Sequence, residues 1–171
     1  MGITARSTNS QAVLNELQRG YRTIENGIIK ILQYAGEQFV KDARDGMNIS
    51  GAFPKGDYTD RTVNLRSSTG YFILKDGVII NSDFQGTAEG ITAARTLLAE
   101  IPNKSGYQLV GVAGMDYASY VESKGYNVIT SQADIAIVNI ERMLQKFKDR
   151  LNKKGANIDF DMDNLVLTST R

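Results

Sequence analysis

The 171-residue sequence contains no cysteine, no histidine and no tryptophan, and it has only two prolines. Without cysteine there are no disulfides, no thiolate nucleophiles and no Cys-ligated metal centres. Without histidine there are no Ser–His–Asp or Cys–His catalytic arrangements, and the commonest general base near neutral pH is missing. Catalysis would have to rely on carboxylates, lysine, tyrosine or backbone groups. We therefore expect a protein that binds or assembles, with no enzymatic activity, no metal and no cofactor.

The sequence has no large excess of charge of either sign. It contains 20 lysine and arginine residues and 19 acidic residues, which gives a net charge of +1. Such a balance argues against wholesale nucleic-acid binding, although it allows a local basic patch. No apolar run approaches the roughly 20 residues that a membrane-spanning helix needs. The first ten residues are polar, unlike a secretory signal peptide. We expect synthesis in the cytoplasm and no membrane partner.

A long amphipathic helix is predicted near the N-terminus. Apolar residues recur in alternating steps of three and four from Leu14 to Ile31, and Gly46 marks the end of the helix. Three glycines inside it each lower its stability by about 1 kcal/mol, so we expect a kink or a break. These glycines are Gly20, Gly27 and Gly36.

A second long helix is predicted from a cap at Ser131–Asp134 to a stop at Gly155. Its last turns carry basic side chains that complement the negative end of the helix dipole. These are Lys146, Lys148, Arg150, Lys153 and Lys154. A solvated helix end is the simpler interpretation, and a surface facing DNA or a neighbouring subunit is the alternative.

Between these helices the sequence predicts a β-hairpin over 71–82, because two β-prone segments flank Asp76-Gly77, a pair that fits a type I′ turn. A shorter helix is predicted over 87–101, followed by a strand at 107–113 that lacks strict alternation and is expected to be buried on both faces. The fold class is therefore α+β, with the N-terminal and C-terminal helices packed on a mainly antiparallel sheet.

Further along, a short helix is predicted over 115–124 and a strand over 126–130. Residues 1–155 are interpreted as a single domain and residues 156–171 as a strand-like C-terminal extension. In the extension, apolar residues alternate with an acidic face formed by Asp159, Asp161 and Asp163. This is not a calcium loop, since Asn164 stands where the sharp turn requires glycine. We expect the acidic face to meet the basic end of the last helix.

Two segments, 57–71 and 112–126, contain several tyrosines and glycines, and the first also has two arginines; these residue types make rigid contacts and tight turns at interfaces. We expect Arg66 or Arg61 to pair with Glu122 and so to join the two segments. The candidate interface residues are Asp57, Tyr58, Arg61, Asn64, Leu65, Arg66, Gly114, Tyr117, Tyr120, Glu122 and Gly125.

These segments resemble two signatures of a family of bacteriophage neck proteins, the head–tail joining or tail-completion components of long-tailed, non-contractile phages. The first signature, T-G-x-L-R-x-S, is similar to 62–68, where Val63 replaces the usual glycine. The second, G-x-x-Y-A-x-Y-V-E-x-G, is similar to 114–125, where Lys124 is inserted before the final glycine. The order of elements is also similar over roughly residues 10–155.

The resemblance implies a virion protein that forms a homo-oligomeric ring at the neck, between the capsid-side connector and the tail. Its partners would be itself, other neck, connector and tail proteins, and packaged double-stranded DNA that passes through the lumen without sequence-specific binding. The alternative is a nucleic-acid-binding accessory protein of a phage or prophage that uses the basic stretch 142–154. A carboxylate hydrolase would need two acids from this sequence to converge in one pocket.

Overall fold

The computed structural model describes residues 10–45, 47–48, 58–59, 67–84, 86, 88–102, 105–114, 130–156 and 167–169. Three helices lie in these ranges: α1 (Ser10–Asp45), α2 (Ala88–Glu100) and α3 (Thr130–Asn152). The strands are β1 (Met47–Asn48), β2 (Tyr58–Thr59), β3 (Thr69–Lys75), β4 (Val78–Phe84), β5 (Tyr107–Ala113) and β6 (Leu167–Ser169).

The larger sheet has four strands, in the order β4-β3-β5-β6. The central strand β3 is antiparallel to both of its neighbours, whereas β6 is parallel to β5. Separately, β1 and β2 form a short parallel pair. The predicted α+β class, with long helices near both ends and a mainly antiparallel sheet, is confirmed.

The predicted hairpin is formed by β3 and β4. Its turn residues Asp76 and Gly77 have φ angles of 51° and 79°, and a type I′ turn requires positive φ at both positions. The turn is also fixed from outside, because Asp76 and Gly106 exchange two hydrogen bonds of 2.9 and 2.8 Å.

Helix α1 is continuous over 36 residues, so the prediction of a break was wrong. The glycines serve close packing instead. A Cβ atom on Gly36 would lie 2.7 Å from the ring of Tyr71, and one on Gly27 would lie 2.2 Å from the ring of Phe147. Neighbouring side chains therefore occupy the space next to the helix, and their packing outweighs the weak helix propensity of glycine. The helix ends at Asp45, directly before the predicted stop.

The core has one layer on each face of the sheet, as the alternation of side chains along β3 requires. Tyr71 and Ile73 pack with α1 and α3, whereas Phe72 and Leu74 pack with α2. Strand β5 is buried over 108–113, which confirms that it is covered on both faces.

Helix α3 begins at Thr130, earlier than the predicted cap and within the segment predicted to be a strand. It runs antiparallel to α1, since Phe147 lies at Gly27 while Ala136 clusters with Phe39. Because both helices have the same rise per residue, the C-terminus of α3 lies opposite about residue 22 of α1. The helix stops shortly before Gly155, which has a φ of 84°.

The predicted helix 115–124 and most of the predicted strand 126–130 lie outside the described residues, as does 157–166 of the C-terminal extension. Within that extension, β6 joins the sheet beside β5. No helix in the described ranges is long and apolar enough to cross a membrane.

Candidate functional site

The C-terminal end of the first signature segment (62–68) and the N-terminal end of the second (114–125) meet at one end of the sheet. The first segment leads through Ser67 and Ser68 into β3, and the second begins at Gly114, directly after β5. The amide of Gly114 donates a hydrogen bond of 3.3 Å to the carbonyl of Ser68. A Cβ atom on Gly114 would lie 2.5 Å from the backbone nitrogen of Ala94, so only glycine lets α2 approach this closely.

The same end of the sheet holds a buried cation. Arg44, in the last turn of α1, is 9% exposed, and its Nη2 donates a 2.7 Å hydrogen bond to the carbonyl of Thr69. Ser67, Ser68 and Thr69 are buried beside it. A buried guanidinium is costly unless its donors are satisfied, and its hydrogen bond to Thr69 ties the last turn of α1 to the start of β3.

Most of the candidate interface residues lie outside the described residues, and with them the expected pairing of Arg61 or Arg66 with Glu122. Of the eleven, Gly114 is described fully and Tyr58 is placed by its backbone in β2. The acidic residues of the C-terminal extension also lie outside the described ranges, so their contact with the basic helix end stays a prediction.

The basic end of α3 is largely open to solvent. Lys146, Arg150, Lys153 and Lys154 are exposed, while Lys148 is half-buried. Nε of Arg150 donates a 3.3 Å hydrogen bond to the carbonyl of Lys146, as expected of a cation at a helix C-terminus.

A polar cluster joins α1 to the opposite end of the sheet. Lys75, at the end of β3, forms an ion pair with Glu25, and the hydroxyl of Tyr107 donates a 3.0 Å hydrogen bond to the same carboxylate oxygen. The ammonium group also lies 5.6 Å from the ring centre of Tyr21 and 5.7 Å from that of Tyr107, within cation–π distance. Sequence reasoning missed this cluster, because its members are far apart in the chain.

Helix α1 continues past this cluster as an exposed segment, whose Tyr21 still contacts Lys75. Every residue from 10 to 23 is exposed, and we call this segment the arm. The arm carries the first part of the predicted apolar stripe, and its Leu14, Leu17 and Tyr21 are 50%, 65% and 59% exposed. At 1.5 Å per residue the arm is about 21 Å long.

A shallow groove lies between α1 and α3 on the outer side of the helical layer. Two apolar side chains stand at its rim, Tyr34 and Ile135, which are 53% and 52% exposed, and Gln38, Gln132 and Asn139 add polar groups to its lining. Asp42 is the charged residue of its lining. The sequence held a signal for this surface, because Ile135 falls outside the stripe of α3 that faces the core.

A third apolar surface is the outer strand β4, where Val78, Ile79 and Ile80 are all exposed. Strand β4 pairs with β3 alone in the described sheet. Arm, groove and edge strand are therefore three separate places where this chain exposes apolar side chains.

Among the described residues, no three acidic side chains are grouped so as to hold a metal ion. No protein-family model, curated protein or solved structure matches this chain.

Proposed function

We propose that this protein is a structural ring subunit of the neck of a long-tailed phage, located in the virion between the capsid-side connector and the tail. The exposed arm carries the proposal. These 14 residues of α1 bury no side chain, so the arm gains little from the packing of an apolar face, which supplies most helical stability in proteins. An apolar stripe on such a helix is stabilised when another protein surface covers it.

The resemblance of the two signature segments to those of phage neck proteins supports the same function. The end of the first segment and the start of the second are adjacent in the fold, where Gly114 is hydrogen-bonded to Ser68. They also flank the hairpin and lie in the family's order. The partners that this function implies are further copies of the chain and the neighbouring neck, connector and tail proteins.

The charge balance suits a ring around passing DNA. Strong contacts with DNA phosphates would slow the ejection of the DNA, and a net charge of +1 does not favour such contacts over the whole protein surface. The lack of cysteine and histidine suits a subunit whose work is assembly, so we propose no enzymatic step and no cofactor.

The test is the mass of the purified protein in solution by light scattering, together with negative-stain electron microscopy. We expect a closed symmetric ring with a lumen wide enough for a DNA duplex. A protein that stays monomeric at every concentration and shows no ring would overturn the proposal.

The exposed basic end of α3 favours a second candidate, an accessory protein that binds nucleic acid through 142–154. Fluorescence anisotropy with a duplex of arbitrary sequence separates the two functions when it is repeated from 50 to 200 mM salt. Phosphate binding would weaken steeply, with a slope of about −0.9 per phosphate contact in log units. A ring subunit would bind weakly throughout, and replacement of Lys146 and Arg150 by glutamine would change little.

A further inference from the structure

We infer that the arm of one copy docks in the groove between α1 and α3 of a second copy, and that this head-to-tail contact closes the ring. The inference rests on the proposed function for its partner, a second copy of this chain. It adds to that function the two surfaces that meet and the direction of the contact.

The arm cannot fill the groove of its own chain. Leu17 and Tyr34 belong to the same unbroken helix, and 17 residues separate them, which corresponds to about 26 Å along its axis. The helix would have to break and fold back to bring them together. An arm that docks in this groove must therefore come from another molecule.

The two surfaces match in apolar character. The arm presents Leu14, Leu17 and Tyr21 in steps of three and four, a narrow stripe of the kind that packs against one or two helices. The groove offers the open side of a helix pair, with Tyr34 on α1 and Ile135 on α3 at its rim. A third helix laid along this pair would cover both sets of exposed side chains at once.

Polar groups on the two surfaces are also complementary. Asp42 is the charged residue in the groove lining, and Arg22 flanks the stripe of the arm. The Oε1 atom of Gln132, which also lines the groove, is buried and accepts no hydrogen bond among the described residues. Gln18, on the same flank of the arm as Arg22, brings an amide donor that suits such an acceptor.

The symmetry of the contact follows from the separation of the two surfaces. A two-fold dimer matches one patch with itself, whereas an arm that enters a different surface gives a head-to-tail contact. Head-to-tail contacts generate a ring when the rotation between copies closes. The arm and groove thus provide the type of interface that a ring needs.

Complementation tests the inference with the full-length chain. Leu17→Asp disables the arm and Ile135→Asp disables the groove, and both residues are exposed, so each variant should fold as a monomer with unchanged circular dichroism. A mixture of the two retains one intact arm and one intact groove. We expect it to form a 1:1 dimer of twice the monomer mass and nothing larger. Ala12→Asp, on the opposite face of the arm, is the matched control and should assemble like the natural chain.

Cross-linking then identifies the contact. Because the chain has no cysteine, Leu17→Cys and Ile135→Cys each introduce a single thiol. With a short bismaleimide, we expect a covalent dimer when the two variants are mixed and little when either is treated alone. A dimer of Leu17→Cys with itself would show pairing between arms and would overturn the inference.

The results for the inference and for the neck function are separable. Rings that persist in Leu17→Asp would overturn the docking of the arm while leaving the ring function standing. Complementation that succeeds in a chain forming only open filaments would support the docking and contradict the neck function. A natural chain that remains monomeric contradicts both.

Discussion

Glu25 accepts hydrogen bonds from two residues that are 50 and 82 positions away in the chain. The hydrogen bond from Lys75, and then that from Tyr107, hold the pKa of the Glu25 carboxyl below its ordinary value of 4.5. In return, the contact with Glu25 raises the pKa of Lys75. Burial, followed by the hydrogen bond to Glu25, raises the pKa of Tyr107 to about 12. The cluster therefore stabilises the fold when Glu25 is ionised and both partners keep their protons.

The first prediction at this scale concerns Glu25→Gln, which should lower the free energy of unfolding at pH 7. A carboxyl with a lowered pKa stabilises fully above its unfolded value of 4.5, and this contribution is lost as the pH falls through the folded value. The natural chain and the variant should therefore converge in acid, as measured by urea denaturation from pH 7 to pH 3. An equal difference at every pH would contradict the role of the charge. Tyr107→Phe, which removes one donor and keeps the ring over Lys75, should have a smaller effect.

The second prediction compares two glycines. Gly114→Ala places a Cβ 2.5 Å from a backbone atom of Ala94, whereas a Cβ on Gly20 meets nothing within 4 Å. Backbone cannot move aside as a side-chain tip can, so Gly114→Ala should destabilise the protein by about 1–3 kcal/mol. Gly20→Ala should raise the helix content and should not lower the free energy of unfolding. Urea denaturation and far-UV circular dichroism of both variants test this, and equal stability of the two would refute it.

At the scale of the elements, α1 divides into two parts with one sequence pattern. From Ile24 onward its stripe is partly or fully covered, and Leu32 is 0% exposed, whereas in the arm the same stripe is open. The division falls where α3 ends on one side and the hairpin turn lies on the other. The arm is thus a continuation of a core helix beyond the elements that cover it.

This division gives a prediction for two leucines of α1. Leu32→Ala should lower the free energy of unfolding by about 2–5 kcal/mol, because it leaves a cavity in the core. Leu17→Ala should change it by no more than about 0.5 kcal/mol. The comparison requires dilute protein, so that assembly does not contribute. A large loss for Leu17→Ala in the dilute monomer would mean that its own chain covers the arm.

Local signals in the sequence were sufficient for the hairpin and for the end of α1, because Asp76-Gly77 specifies its turn by backbone geometry and a glycine follows Asp45 directly. The break in α1 was predicted wrongly, since helix propensity takes no account of the rings of Tyr71 and Phe147 that pack against its glycines. The junction between Arg44 and Thr69 could not be predicted, because it depends on how α1 crosses the sheet. The apolar stripe of α1 likewise does not reveal at which residue the elements that pack against it end.

At the scale of the whole molecule, apolar surfaces remain on three sides of a chain whose net charge is close to zero. Weak net repulsion between copies leaves association to be decided by these surfaces. The arm and the groove are far apart on α1, so under the proposed docking each copy would engage two neighbours at once. This bivalence is what a ring requires of every subunit.

Assembly should therefore appear in the thermal stability. Since the docked state exists only in the folded protein, the apparent Tm of the natural chain should rise with protein concentration. Leu17→Asp should show a Tm independent of concentration, and Ala12→Asp should behave like the natural chain. Differential scanning calorimetry over a hundredfold range of concentration tests this, and a constant Tm for all three would argue against docking.

The positions of two tyrosines have an optical consequence. In a chain with no tryptophan, ultraviolet emission comes from tyrosine, whose quantum yield responds to the groups around its ring. Tyr21 lies on the arm and Tyr34 at the rim of the groove, both open to water in the single chain. Docking would move both rings into contact with a neighbour, so the molecule carries its own label-free reporter of the rate at which subunits join.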